Sequence, residues 1–183
     1  ILRPLVAYFN RQPAPGPEMA DLCVIAYNGA LRVQNEVLPA RLSSSTHSMW
    51  TVTTKHVTTI GFTTRKNRAE QSSVTRDFTC HVEPETCMGQ AVIRRLGEAL
   101  LQGRNAILIL SYAQSLEALR LGLREIGVPH YREYSWHAFR RGYTQDPLAT
   151  DTPLRDLLLS CDWRSSTFAW YLQRDNMDRR AVL

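Results

Sequence analysis

Lysine is nearly missing from this chain: of 22 basic residues only Lys55 and Lys66 are lysines, and the other 20 are arginines. A function that needs a compact, mobile ammonium therefore has two candidates, whereas one served by a planar cation has many. Arginine's fork holds two phosphate oxygens at once, which suits contact with a nucleic-acid backbone; a GC-rich coding bias produces the same skew. Long apolar runs are missing too. No stretch reaches the roughly 18 residues of a membrane-spanning helix, and Ile1–Asn10 lacks the basic, apolar and small-residue zones of a secretory signal. A soluble, intracellular protein with no membrane partner is expected, in the nucleus if the source is eukaryotic and otherwise in the cytoplasm or nucleoid. Close cysteine pairs are also absent. Cys23, Cys80, Cys87 and Cys161 are scattered, and Cys80-His81 with Cys87 offers at most three ligands at an unusual interval. Buried thiols are the expectation, with no metal and no other cofactor.

What is present suits an ordinary globular domain. With 183 residues, 44% hydrophobic and 21% charged, the chain can bury a real core, and one domain spanning 1–183 is expected. Its first residue is Ile rather than Met, as in an excised domain or fragment. A net charge of +5 points weakly toward a polyanionic partner.

Local patterns divide the chain into three textures. Leu2–Gln12 suits a short helix broken by Pro13–Pro17, because each proline fixes its backbone angle and lacks an amide donor. A second helix is expected from near Glu18, with Met19, Leu22, Cys23, Ile25 and Ala26 on one face and a bend or junction at Gly29. From Met49 to Cys80 threonine, valine and aromatic residues predict two or three antiparallel strands. Val57–Thr64 and Ser72–Cys80 there flank the polar run 65–71, which reads as a hairpin with Lys66 at or near its tip. The remainder is mainly helical. Met88–Gln102 puts Val92, Leu96 and Leu100 on one stripe and stops at Gly103. Asn105–Leu110 is a short buried segment, either a strand or a connecting run. Ser111 and Gln114 form a capping box before Leu116, Leu119, Leu123 and Ile126, and Gly127 closes that helix. Ser135 can cap a helix holding His137 and Arg140; Thr152-Pro153 opens another, and Ser165 or Ser166 a last one through Trp170 and Tyr171. The fold class expected is α+β: a mainly helical domain with a small antiparallel sheet near residues 49–80.

His137 and Arg140 lie three residues apart, a spacing that puts both on one helix face, where they can present an acid/base and a fixed cation to one phosphate. Downstream follow Thr152-Pro153-Leu154-Arg155, then Cys161-Asp162-Trp163-Arg164-Ser165-Ser166, then Tyr171. That ordered set resembles the tyrosine recombinase (phage integrase) family, and HAFRRG followed by CDWRSSTFAWY is most similar to its eukaryotic mobile-element branch. The family's earlier arginine motif, G-x-R-x-x-E-like, is matched by Gly29-Ala30-Leu31-Arg32-Val33-Gln34-Asn35-Glu36, with Arg32 in the catalytic and Glu36 in the acidic position. Its hairpin lysine is matched by Lys66; the competing Lys55 sits in a strand-like alternation rather than at a turn. In many members the His/Trp residue lies nine positions before the tyrosine, which here is Asp162, whereas Trp163 lies eight before it. The mobile-element branch has Trp after a variable residue, so Trp163 is assigned the role. The resemblance covers about Glu18 to Arg174.

The resemblance implies site-specific DNA breakage and rejoining through a 3′-phosphotyrosine. Tyr171 would be the nucleophile, Arg32 and Arg140 would clamp the nonbridging oxygens, and Lys66 would protonate the leaving 5′ oxygen. His137 would handle the tyrosine proton or brace the phosphate, and Trp163 would donate its indole N–H. The partner would be double-stranded DNA bound by a homo-tetramer with exchange of C-terminal tails. The family's N-terminal core-binding domain has no counterpart in these residues. Arg41, Arg68, Arg76, Arg141 and Arg164 are further candidates for backbone contact. Two other readings use the same residues: relaxation of supercoils in the manner of a type IB topoisomerase, and DNA binding by a mobile-element protein that has lost its chemistry.

Overall fold

The single apolar stripe expected for the second helix gives way to burial on every side. The computed structural model describes residues 1–43, 48–54, 57–62, 74–79 and 84–149. In it α1 (Leu2–Asn10) leads into α2 (Gly16–Asn28), and every position of α2 from Glu18 through Ala26 is buried. A helix apolar nearly all round belongs inside a domain rather than on its surface. Accordingly α2 is packed by α1, by α3 (Met88–Leu101), by α4 (Tyr112–Glu125) and by α5 (Trp136–Ala149).

The turn from α1 to α2 depends on a close approach that only glycine permits. Gly16 and Pro17 belong to the first turn of α2, so the helix begins two residues before the expected Glu18; proline is tolerated there because its missing amide would have had no intrahelical partner. A Cβ on Gly16 would lie 2.5 Å from the Phe9 carbonyl oxygen and 2.7 Å from Gln12 Cβ. Backbone at that distance cannot swing aside as a side chain could. Gly16→Ala is therefore expected to lower stability by about 1–3 kcal/mol, the usual cost of overpacking; an unchanged melting temperature would remove this account of the turn.

Two buried carboxylates on α2 are met by specific donors. Glu18 accepts the backbone N–H groups of Ile109 (2.6 Å) and Leu110 (3.3 Å), which pins the 105–110 connection to the helix. That connection is no strand: Ala106 makes an isolated bridge with Arg41, Ile107 and Leu108 are buried, and Ile109 is exposed. Asp21 accepts from Arg94 of α3 (Nε to Oδ1, 3.1 Å) and forms an ion pair with Arg95 (Nε to Oδ2, 2.7 Å), and Arg95 donates to Glu98 through two 2.8 Å bonds. Burial, with a smaller contribution from the Asp21 charge, pushes the Cys23 thiol far above its ordinary range, so it stays protonated and inert.

On α3 the expected stripe through Val92, Leu96 and Leu100 drifts out of the core. Met88, Ala91, Val92, Arg95 and Ala99 are buried, whereas Leu100 is 67% exposed. A strict four-residue step overshoots a 3.6-residue turn by about 40° each time, so the last member of such a row leaves the face where the first one sits. Helix ends follow local chemistry. Gly103 and Gly127 take left-handed conformations after α3 and α4, and each closes a double hydrogen-bonded stop: Arg104 N–H to Ala99 and Gly103 N–H to Leu100, then Val128 N–H to Leu123 and Gly127 N–H to Arg124. Ser111 and Gln114 form the reciprocal box that starts α4.

Strands β1 (Met49–Thr54), β2 (Val57–Phe62) and β3 (Val74–Thr79) form an antiparallel sheet in the order β1-β2-β3, laid against α3. Thr54 pairs with Val57, and Phe62 with Val74. Met49 and Ile60 turn into the core. The two lysines lie outside the described residues, Lys55 between the paired ends of β1 and β2 and Lys66 in the 63–73 connection from β2 to β3. The described residues are thus mainly helical with one small sheet, and among them no helix is long and apolar enough to cross a membrane.

Candidate functional site

At the C-terminus of α2 the chain turns through Ala30 rather than Gly29. Gly29 keeps an ordinary right-handed conformation (φ −81°), and Ala30 takes the left-handed one at φ 47°. The turn closes by Ala30 N–H to Tyr27 (2.9 Å) and Leu31 N–H to Ala26 (3.1 Å). Glycine fills this position without penalty, while an L side chain costs about 1–2 kcal/mol there. What the strain achieves is direction: the Ala30 carbonyl points at α5, and the chain enters Arg32 in extended conformation.

Arg32 opens a single π-helical turn, Val33–Val37, and is held by its own motif acid. Glu36 accepts the Arg32 backbone N–H at 2.7 Å and Nη1 at 3.3 Å. The Glu36 side chain is 1% exposed and that of Arg32 is 24% exposed. A buried carboxylate therefore fixes a guanidinium that still reaches solvent, the arrangement a site for an anion needs.

Helix α5 is anchored through its N-terminal turns. Trp136, buried in the first turn, donates Nε1–H to Ser115 Oγ (3.1 Å), and Ser115 donates in turn to the Tyr112 carbonyl (2.9 Å). Arg120 Nε bonds the Tyr134 carbonyl at 3.0 Å. Phe139 packs between Trp136 and Tyr27, with centroids at 5.1 and 6.4 Å. One turn along, Arg140 is 1% exposed and donates Nη1–H to the Ala30 carbonyl at 2.7 Å. This bond spans 110 positions of sequence and brings the helix of the H-x-x-R pair to within two residues of Arg32.

His137 and Arg140 are not presented on one face. His137 is exposed and lines an open concavity with Tyr134 and Arg141, while Arg140 is turned into the core. A three-residue step leaves about 60° between side chains, and here that angle falls across the boundary between interior and solvent. Of the remaining expected residues, Lys66, Asp162, Trp163 and Tyr171 lie outside the described residues, as do Arg68 and Arg164. Arg76 is in β3 opposite Ile60. Arg41 spends its guanidinium on the Leu38 and Ala40 carbonyls (3.2 and 3.0 Å), which suits a structural role.

Three participants were not singled out from sequence. Ala30 looks like an unremarkable small residue, and only its φ betrays it. Ser115 looks like a surface serine of an amphipathic helix, yet it is fully buried beneath Trp136. The Asp21–Arg94–Arg95–Glu98 cluster had one available signal, an acid inside an otherwise apolar helix. Its charges are closed on one another, so it reads as a bolt between α2 and α3. Among the described residues no group of three His, Cys, Asp or Glu side chains stands where it could hold a metal ion. No known protein family, curated protein or solved structure matches this chain.

Proposed function

We propose that the chain breaks and rejoins double-stranded DNA through a covalent phosphotyrosine, as the catalytic domain of a tyrosine recombinase. The observation that carries this reading is the Arg140–Ala30 hydrogen bond. It joins the two arginine motifs that the resemblance assigns to one phosphate, although they are far apart in sequence.

Arg32 and Arg140 contribute differently. Arg32, partly exposed and braced by Glu36, is the guanidinium open to a nonbridging oxygen. Arg140 supplies positive charge from a buried position, where low dielectric strengthens attraction to the phosphate. The Tyr171 hydroxyl attacks phosphorus, the P–O5′ bond breaks, and a 3′-phosphotyrosine forms. Lys66 gives its proton to the departing 5′ oxygen, and His137 takes the proton from Tyr171. Trp163 donates its indole N–H to the phosphate. Reversal with a second 5′-hydroxyl rejoins the strand, and because the phosphate ester bond is exchanged rather than hydrolysed, no nucleotide is consumed. On this reading the working unit is a homo-tetramer on DNA whose C-terminal tails are exchanged.

A nicked duplex that traps the intermediate tests the reading. Wild type is expected to yield a protein–DNA adduct stable on a denaturing gel, and Tyr171→Phe none. Equal adduct from both proteins would rule out Tyr171 as the nucleophile. A duplex carrying two sites distinguishes recombinant products from relaxation alone, which would favour topoisomerase-like chemistry.

A further inference from the structure

The residues that α4 buries are Ser115, Leu119, Gly122 and Leu123, and of these only Ser115 has a polar side chain. An amphipathic helix fills such a face with apolar residues, and alanine suits a helix interior better than serine. The α4 backbone has no need of the hydroxyl either. Its proton goes to the Tyr112 carbonyl three residues back (2.9 Å), a local bond that competes with the helix rather than supporting it. With that proton committed, Ser115 Oγ is left with lone pairs, and it accepts the Nε1–H of Trp136 at 3.1 Å. Ser115 is fully buried and Trp136 is 3% exposed.

The chain of bonds runs one way, from indole to hydroxyl to carbonyl. Apolar packing holds a ring at a depth but has no preferred direction, whereas a hydrogen bond weakens steeply once it is bent. Trp136 precedes His137 directly and lies four residues before Arg140, within about 40° of it around the helix. The two side chains are nevertheless tied to different elements, Trp136 to α4 and Arg140 to the Ala30 carbonyl after α2. Ties to two elements, one turn apart, stop α5 from rolling about its own axis. Without the Trp136 bond, Arg140 becomes a pivot, and the roll is opposed on the α2 side by the edge-on contact of Phe139 with Tyr27, whose centroids are 6.4 Å apart.

We infer that Ser115 is a positioning residue: through Trp136 it sets the roll of α5 that turns Arg140 toward the Arg32 turn and His137 toward solvent; the inference rests on the function proposed above. Being fully buried, Ser115 acts on a phosphate only through α5. A roll of the helix moves Arg140 and His137 together, so loss of the bond slows the chemical step rather than weakening capture of the duplex.

Single-turnover adduct formation on the nicked duplex, with the full chain saturated by DNA, tests this. Ser115→Ala and Trp136→Phe are each expected to slow the adduct by about 10- to 10²-fold, the effect of a displacement approaching 1 Å. Duplex affinity, read by fluorescence anisotropy, should stay at the wild-type value. Ser115→Thr keeps the hydroxyl and should keep most of the rate. The two substitutions remove the same bond, so the Ser115→Ala/Trp136→Phe protein should be no slower than the slower single variant. Gly16→Ala, destabilised at the α1–α2 turn, should form adduct at the wild-type rate below its melting temperature. The inference is overturned by a wild-type rate in Ser115→Ala, by losses that multiply in the double variant, by a Ser115→Thr protein as slow as Ser115→Ala, or by equal slowing in Gly16→Ala. Should Ser115→Ala not fold, a wild-type rate in Trp136→Phe overturns it equally. Adduct from the wild type with rates unmoved in the variants removes the positioning role and leaves the phosphotyrosine chemistry standing, whereas a wild type that forms no adduct overturns both.

Discussion

Asp21→Ala is expected to destabilise the protein by about 3–5 kcal/mol, the cost of breaking a buried ion pair from one side. The Arg95 side chain is 4% exposed and pairs with Asp21 at 2.7 Å, so it would keep its charge in the interior with only Glu98 left to compensate. Arg94 is 41% exposed and can turn to water, so the loss falls on Arg95. Domains are stable by only about 5–15 kcal/mol, and the variant would spend a large part of that. Urea unfolding followed by circular dichroism measures the change. Adding Arg95→Leu to the same protein should recover much of the loss, because it removes the orphaned charge rather than restoring a partner. A single variant less than about 1 kcal/mol below wild type would show that the cluster is not a bolt between α2 and α3.

The second large effect concerns chemistry. Arg140→Gln is expected to form the trapped DNA adduct about 10²–10³-fold more slowly, the range for removing one donor aimed at developing charge. The substitution removes the positive charge and leaves a polar amide in its place, on a side chain two bonds shorter than that of arginine. Arg140→Ala leaves the buried Ala30 carbonyl without the 2.7 Å bond and should also lose about 1–3 kcal/mol of stability. Single-turnover adduct formation and thermal melts on both variants would separate the two roles. Wild-type rates in a well-folded Arg140→Gln protein would place Arg140 among structural residues and deprive the functional reading of its main support.

The local punctuation of the fold was legible in the residues. Glycines 103 and 127, the Ser111–Gln114 box and the proline-rich break after α1 act through atoms a few positions apart, so their meaning survives in sequence. The sheet was legible for a related reason, since its threonine-rich alternation suits strands wherever they are packed. The 105–110 segment could not be resolved that way, because its backbone partners are Ala40, Leu42 and a carboxylate on α2.

At the candidate site the division is sharper. The order of Arg32, Lys66, His137, Arg140, Trp163 and Tyr171 is a property of the sequence alone, and it suggested the chemistry before any contact was known. Which of the described ones face inward and which face solvent was decided by packing. Ala30 accepts left-handed strain because α5 needs its carbonyl, and Arg140 lies inside while His137 lies outside because Trp136 and Phe139 set the rotation of α5 against α4 and α2. The physical reason is range. Caps, turns and alternation are settled by neighbours along the chain, whereas burial, helix rotation and the pairing of charges depend on surfaces that become neighbours only when α1, α3, α4 and α5 close around α2.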